Sequence, residues 1–252
     1  MKLTRYVIHL SYLGTHYAGW QIQDNARSVQ GDVMLGLTKI LKENIGLIVG
    51  VGRTDAGVHA SSFFAHFDYS GSFNMIELTY KLNRFLSDYI VIHYIKTITK
   101  EFHARFSAIS RKYEYLISTY KDPFLINKAY FFLKHLNLDI MNQGAALLIG
   151  ENNFKAFSKS NMDNSICLVS SAKWEKKEQT IIFSIESDRF LYNMVRCIVG
   201  TLIDLGLEKI NLSQFASIIS SGDRKQAGMS VPAQGLYLVN IKYPKKYSLE
   251  ID

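Results

Sequence analysis

Three observations make an α+β protein the expectation, with helices on one side of a mostly antiparallel sheet. Strand-like and helix-like stretches arrive in two similar batches, 1–105 and 106–252, and neither alternates regularly enough for a parallel doubly wound sheet. No linker, low-complexity segment or short-period repeat separates the batches, so they read as two halves of one body, with the cleft between them a natural ligand site. The 252 residues are 48% hydrophobic with three prolines, enough apolar material for a substantial core.

The elements follow in order. Residues 3–12 predict a first strand, because Val7, His9 and Ser11 alternate with Ile8, Leu10 and Tyr12. A polar, glycine-containing loop, GTHYAGWQIQDNAR, comes next. Ser28 is a helix N-cap before VQGDVMLGLTKIL, where Val29, Val33, Leu37, Ile40 and Leu41 share one face. LIVGV and SSFFAHFDY predict strands on either side of GRTDAGVHA (52–60). MIELTYKLNRFL (75–86) predicts a second helix and YIVIHYIKTI (89–98) a strand.

In the second batch, RKYEYLIS (111–118) alternates as a strand, DIMNQGAALLIG predicts a helix ending at Gly150, and TIIFSIES (180–187) predicts another strand. The most apolar helix is RFLYNMVRCIVGTLIDLG, with Phe190, Met194, Cys197, Ile198, Thr201, Leu202 and Leu205 at helical spacing and Gly206 as its stop. LSQFASIIS is a short helix, followed by the loop SGDRKQAGMSVPAQG and a last strand, LYLVNIKY.

Lys and Arg number 29 against 22 Asp and Glu, a net charge of +7, which favours a polyanionic partner such as nucleic acid. Cys167 and Cys197 lie far apart and make no metal-ligand spacing, as expected of reduced thiols in a cytoplasmic protein. The N-terminus shows no apolar h-region or cleavage site, so export is not expected, and no apolar run is long enough to cross a bilayer.

Four groups of polar residues carry the chemical interest. GRTDAGVHA suits neither strand nor helix, since strands avoid Asp and Gly and helices avoid two glycines at this spacing. It places Asp55 on a loop between two buried strands, Arg53 two residues before it and His59 four after, a pattern open to a surface turn or an active site. Arg196, at the edge of the apolar face of its helix, either snorkels to solvent or meets a buried carboxylate with its planar fork. EFHARFSAISRKYEY (101–115) interleaves Arg105, Arg111 and Lys112 with Phe102, Phe106, Tyr113 and Tyr115. That is a solvated edge strand, or a nucleic-acid surface where cations meet phosphates and an aromatic ring stacks on a base. The N-terminal loop, with Tyr17, Trp20, Gln21, Gln23 and Arg27, is either plain surface or a substrate contact. His59 and Asp55 are half the ligands a metal site would need, with His66 or His103 to complete it, but no HxxxH or CxxC spacing supports one, and no GxSxG elbow supports a serine nucleophile.

GRTDAGVHA resembles the catalytic motif of the TruA family of tRNA pseudouridine synthases. YLGTHYAGWQIQ, RSVQG, FHARFSAISRKYEY, GENNFKAFS, RFLYNMVRCIVGTL and PAQGLYL fall in that family's order across residues 12–238. The chain departs at Leu86-Ser87, where the family often has Leu-Pro, and at Val231, where it often has alanine. The resemblance implies two ferredoxin-like halves joined into one mostly antiparallel sheet, with helices on one side and a basic cleft. The first half carries the catalytic loop and the second completes the site. It further implies a cytoplasmic homodimer without cofactor or metal, acting on the anticodon stem-loop of tRNA at its thirty-eighth to fortieth nucleotides. By residue it implies Asp55 as the catalytic aspartate, Tyr113 as the base-stacking tyrosine and Arg196 as the aspartate's partner. Arg53 would help hold the flipped nucleotide, and Leu236, in Leu236-Tyr237-Leu238, would line the pocket.

These roles agree with the chemistry. Turning uridine into pseudouridine detaches the ring nitrogen from ribose and rejoins ribose to carbon-5, so nothing is oxidised and no group is imported. An ionised carboxylate near sugar and base is required, and a guanidinium beside it offsets the cost of removing it from water. An RNA-binding module without chemistry is the competing reading. It gains nothing from an aspartate among cations, and Asp55 together with Arg196 favours the enzyme.

Overall fold

A computed structural model of the protein describes residues 3–159 and 164–249. The chain forms two compact units, Met1–Ile109 with Leu238–Asp252, and Ser110–Tyr237. The mostly antiparallel α+β expectation holds within each.

The first unit comprises β1 (Thr4–Tyr12), α1 (Val29–Leu41), β2 (Val49–Gly50), β3 (His59–Tyr69), α2 (Met75–Phe85) and β4 (Ile90–Ile98). β1 runs antiparallel between β3 and β4, with Arg5 opposite Asp68 on one side and Ile98 on the other. β2 adds a short antiparallel pairing to β3, Val49 facing His66. Ser28 caps α1 as its sequence predicts, its hydroxyl accepting the Gly31 N–H at 3.2 Å, and the Asn74 side chain caps α2 by accepting from Ile76 and Glu77. The two helices pack on each other, burying Val33, Leu37, Leu78 and Leu82.

The unit is completed from far along the chain. In β10 (Leu236–Lys242) the residues from Leu238 onward belong here, and Ile109 donates its N–H to the Lys242 carbonyl at 2.8 Å. Tyr243 donates its hydroxyl to the Ala104 carbonyl and stands edge-on to Phe64. The halves drawn from the sequence, 1–105 and 106–252, therefore differ from these units. The first break falls at Ile109, and the described residues from Leu238 onward return to the first unit, where Tyr243 and Tyr247 pack on Phe102.

Two buried histidines in this unit make its stability depend on pH. His9 bonds the Ser62 hydroxyl at 3.1 Å and stacks on Phe64, while His66 Nδ1 accepts the Ala104 N–H at 3.1 Å. Burial pushes both imidazoles down to about 4, helped at His9 by His93 and Lys96 and at His66 by Arg5 and His103. Between that value and the ordinary 6.5 the unfolded chain binds more protons than the folded one. The stability they contribute is therefore present above about pH 6.5 and drains away as pH falls toward 4, at about 1.4 kcal/mol per pH unit for each imidazole. Urea unfolding across that window is expected to show this slope. His66→Gln, which keeps an acceptor for Ala104, is expected to lose about one imidazole's share of it, and an unchanged slope would exclude His66 as a source.

The second unit comprises β5 (Ser110–Ser118), β6 (Tyr130–Phe131), α3 (Leu138–Ala146), β7 (Gly150–Asn153), β8 (Ile166–Lys177), β9 (Thr180–Ser187), α4 (Met194–Gly206) and α5 (Leu212–Ser221). Its sheet runs β5-β9-β8-β7, all antiparallel, and β6 pairs in parallel with the end of β5. The three helices pack on one another, and α4 is buried along almost its whole length. Asn211 and Gln214 form a reciprocal capping box at the start of α5.

Three departures from the expected elements have local causes. The helix expected to reach Gly150 ends at Ala146, and Gly150, at φ 103°, opens β7 instead. α4 begins at Met194 rather than Arg189, because Asn193 is left-handed at φ 65° and the Asp188 carboxylate holds the Arg189 N–H. β8 escapes detection because a bulge between Val169 and Ser171 shifts the apolar set from Cys167 and Val169 to Trp174, breaking the two-residue period. Among the described residues no helix is long and apolar enough to cross a membrane.

Candidate active site

The loop joining β2 to β3 carries Arg53 and Asp55, and a second loop of the same unit braces it. Thr54 is buried, its hydroxyl 2.9 Å from the Tyr12 hydroxyl, and its carbonyl accepts the Trp20 N–H. The Asp55 carbonyl accepts the Val58 N–H at 3.1 Å, closing a tight turn in which Gly57 takes φ 80°. Gly57 donates its own N–H to the Tyr17 carbonyl, and buried His59 accepts the Gly14 N–H on Nδ1 at 2.9 Å. The backbones approach so closely that a Cβ on Gly14 would lie 2.0 Å from the Val58 oxygen, and one on Gly19 2.1 Å from the Thr54 oxygen. Arg53 is exposed and Asp55 half-buried on this braced loop.

Tyr17 and Trp20 are therefore not the surface residues that a polar loop suggests. Both are buried, and Trp20 stacks on Phe63 with 4.2 Å between centroids. The Tyr17 hydroxyl donates to Asp32 and bonds Ser87, the residue where the resembling family often has proline, and the Arg27 guanidinium lies over its ring. His59 is occupied by Gly14 and His66 by Ala104, and among the described residues no cluster of three His, Cys, Asp or Glu side chains is placed to hold a metal ion.

The other candidate residues belong to the second unit. Tyr113, half-buried on β5 opposite Ile185, meets Phe190 edge-on at 5.0 Å. Arg196 lies in the first turn of α4, not mid-helix as the expected boundaries placed it. It does not simply trail along the helix toward solvent: Nε donates to the Val231 carbonyl at 2.8 Å, and its own carbonyl accepts the Val231 N–H. The segment leading to Leu236 is held throughout. A Cβ on Gly200 would lie 1.8 Å from the Met229 oxygen, Thr201 accepts the Gly228 N–H, and Asn193 donates to Ser230. Tyr115 donates its hydroxyl to the Pro232 carbonyl, and burial pushes that hydroxyl well above the usual tyrosine range against the pull of Arg196. Leu236 itself is buried at the start of β10.

Arg53 and Asp55 thus stand on the first unit, and Tyr113, Arg196 and Leu236 on the second. Within the second, Arg196 and Tyr115 anchor successive carbonyls of the segment that ends in Leu236. Arg111 donates to the Asp188 carbonyl and Lys112 pairs with Glu114, so two cations of the basic–aromatic stretch have protein partners. The bracing residues, Gly14, Gly19, Asn193 and Gly200, were not singled out from the sequence, and the glycines flanking Tyr17 were the signal available.

A family model described as tRNA pseudouridine synthase matches residues 145–244. A tRNA pseudouridine synthase A from Bacteroides fragilis is 43% identical over 252 residues, covering 98% of this chain and 99% of its own. Those of Bacteroides thetaiotaomicron and Porphyromonas gingivalis are 42% and 43% identical, covering 96% of this chain and 92% and 98% of their own. The chain belongs to the tRNA pseudouridine synthase A family.

Proposed function

We propose that the protein modifies uridines of the tRNA anticodon stem-loop, at the thirty-eighth to fortieth nucleotides, with Asp55 as its catalytic carboxylate. As a member of its family it is an isomerase converting uridine to pseudouridine in tRNA. The reaction detaches the uracil ring nitrogen from ribose, turns the ring, joins carbon-5 to ribose and releases the carbon-5 proton. It needs a fixed carboxylate, a flat face for a base drawn out of its stack at a cost of a few kcal/mol, and cations for the backbone.

The observation that carries this reading is the bracing of the Asp55 loop. Backbone bonds at Thr54, Asp55 and Gly57 and two close glycine approaches fix the backbone that carries half-buried Asp55, as a positioned catalytic group requires and a surface turn does not. Tyr113 supplies the stacking face, Arg196 is the cationic counterpart of Asp55, Arg53 holds the flipped nucleotide and Leu236 gives the pocket an apolar wall. The anchoring of Arg196 Nε on Val231 supports its role, since it fixes the direction of the fork. The setting is the cytoplasm and the working form a homodimer, and the chemistry calls for no cofactor or metal.

Mapping pseudouridine in RNA from cells lacking this protein tests the target. The expected result is loss of the modification in the anticodon stem-loop of tRNA alone. Intact stem-loops with losses elsewhere in tRNA would move the target and leave the isomerase activity standing.

A further inference from the structure

Phe106 is the most exposed aromatic ring of the basic–aromatic stretch, at 76%, and the roles above do not use it. It is nevertheless held firmly. The His103 imidazole stacks on it with 4.4 Å between centroids and 30° between planes, and the Arg105 guanidinium lies 5.6 Å from its centre. His103 Nδ1 accepts the N–H groups of both Arg105 and Phe106 at 3.2 Å. The Ser107 N–H reaches the His103 carbonyl, and the His103 N–H reaches the Ser107 hydroxyl. Burial, with Arg5 nearby, holds His103 below the ordinary histidine range, so at neutral pH its ring keeps the lone pair that ties the turn. Ala104, in the same turn, is fastened from both sides by His66 and Tyr243.

We infer that Phe106 is a stacking platform for a base of the RNA substrate other than the reacting uridine. This rests on the reading that tRNA is the substrate. An apolar ring left open to water but immobilised has already lost the freedom that binding would otherwise remove, and it accepts any base because every base has a π-face. The guanidinium over the ring and the chain's net charge of +7 match a phosphate backbone running past it. The turn hangs from His66, whereas the Asp55 loop leads into β3 at His59. Tyr113 takes the reacting base in the reading above, so a second ring, outside the Asp55 loop and without a polar atom, meets RNA flanking the target and acts on binding, not on chemistry.

The test compares the full-length Phe106→Ala, Phe106→Leu and Phe106→Trp variants with the wild type on whole tRNA, reading dissociation constant, KM, kcat and, by sedimentation, oligomeric state. Phe106→Ala and Phe106→Leu are expected to weaken tRNA binding and raise KM by about tenfold or more, with kcat within about twofold, while Phe106→Trp restores binding. Equal binding by all four proteins would overturn the inference, as would equal losses in the alanine and tryptophan variants. A change in oligomeric state with tRNA affinity intact would assign the ring to a protein contact instead. If the wild type itself neither bound nor modified tRNA, the substrate reading would fail and the inference with it.

Discussion

Asp55→Asn is expected to abolish pseudouridine formation while leaving tRNA bound. The substitution preserves shape and hydrogen-bonding capacity but removes the charge and the basic or nucleophilic oxygen. The loop should survive it, because Asp55 braces its turn through its backbone carbonyl, which accepts the Val58 N–H and is the same in asparagine. Affinity for tRNA comes mainly from phosphate contacts elsewhere. Whether the carboxylate adds to the base, attacks the sugar or takes a proton, each route needs its free electron pair and charge, so single-turnover product should fall below detection. Tritium release from carbon-5 of labelled uridine in tRNA reads the chemistry, and filter binding reads the affinity. Turnover within about tenfold of wild type would remove Asp55 from the chemistry. Loss of binding together with turnover would instead make it a residue that holds the loop's shape.

Gly19→Ala is the second substitution with a large expected effect, and it works without touching a reactive group. Its φ of 95° disfavours any side chain, and the added carbon would lie 2.1 Å from the Thr54 carbonyl oxygen, one residue before Asp55. Neither partner is the end of a flexible side chain, so the two backbones must part. A displacement of about 1 Å at a catalytic group costs about a hundredfold in rate, and strain of this kind costs about 1–3 kcal/mol. Single-turnover rate and urea midpoint should therefore fall together. Gly52→Ala is the control: it lies on the same loop, but its Cβ would meet nothing within 4 Å, so the midpoint should hardly move. Wild-type turnover in Gly19→Ala would mean that the Asp55 loop does not depend on its brace.

Much of the fold could be read in the residues. α1 was legible to its ends because a hydroxyl cap precedes a regular apolar face, and β1, β4 and β9 because their apolar residues alternate over most of their length. What escaped lacks a local signal. β6 and β7 are two and four residues long, and β8 loses its period at a bulge. The helix expected from Arg189 starts late because Asn193 is left-handed, its side chain bonding Cys197 and also Ser230, which no local window on the sequence contains. At the candidate site, the letters around Asp55 singled out the loop, but not what supports it. Tyr17 and Trp20 looked like solvent-facing residues because their neighbours are polar, and only the packing of Trp20 on Phe63 shows them to be core.

The return of residues 238 onward to the first unit bears on how the protein is made. The second unit is one uninterrupted stretch, Ser110–Tyr237, and every strand and helix packed within it has left the ribosome soon after Tyr237. The first unit has its opening 109 residues translated earliest, yet β3 waits for the last strand, and Ala104 and Phe102 wait for Tyr243 and Tyr247. Until then that sheet presents an unpaired edge and uncovered aromatic rings, the surfaces on which nascent chains misassociate. The portion of the molecule begun first is the portion finished last.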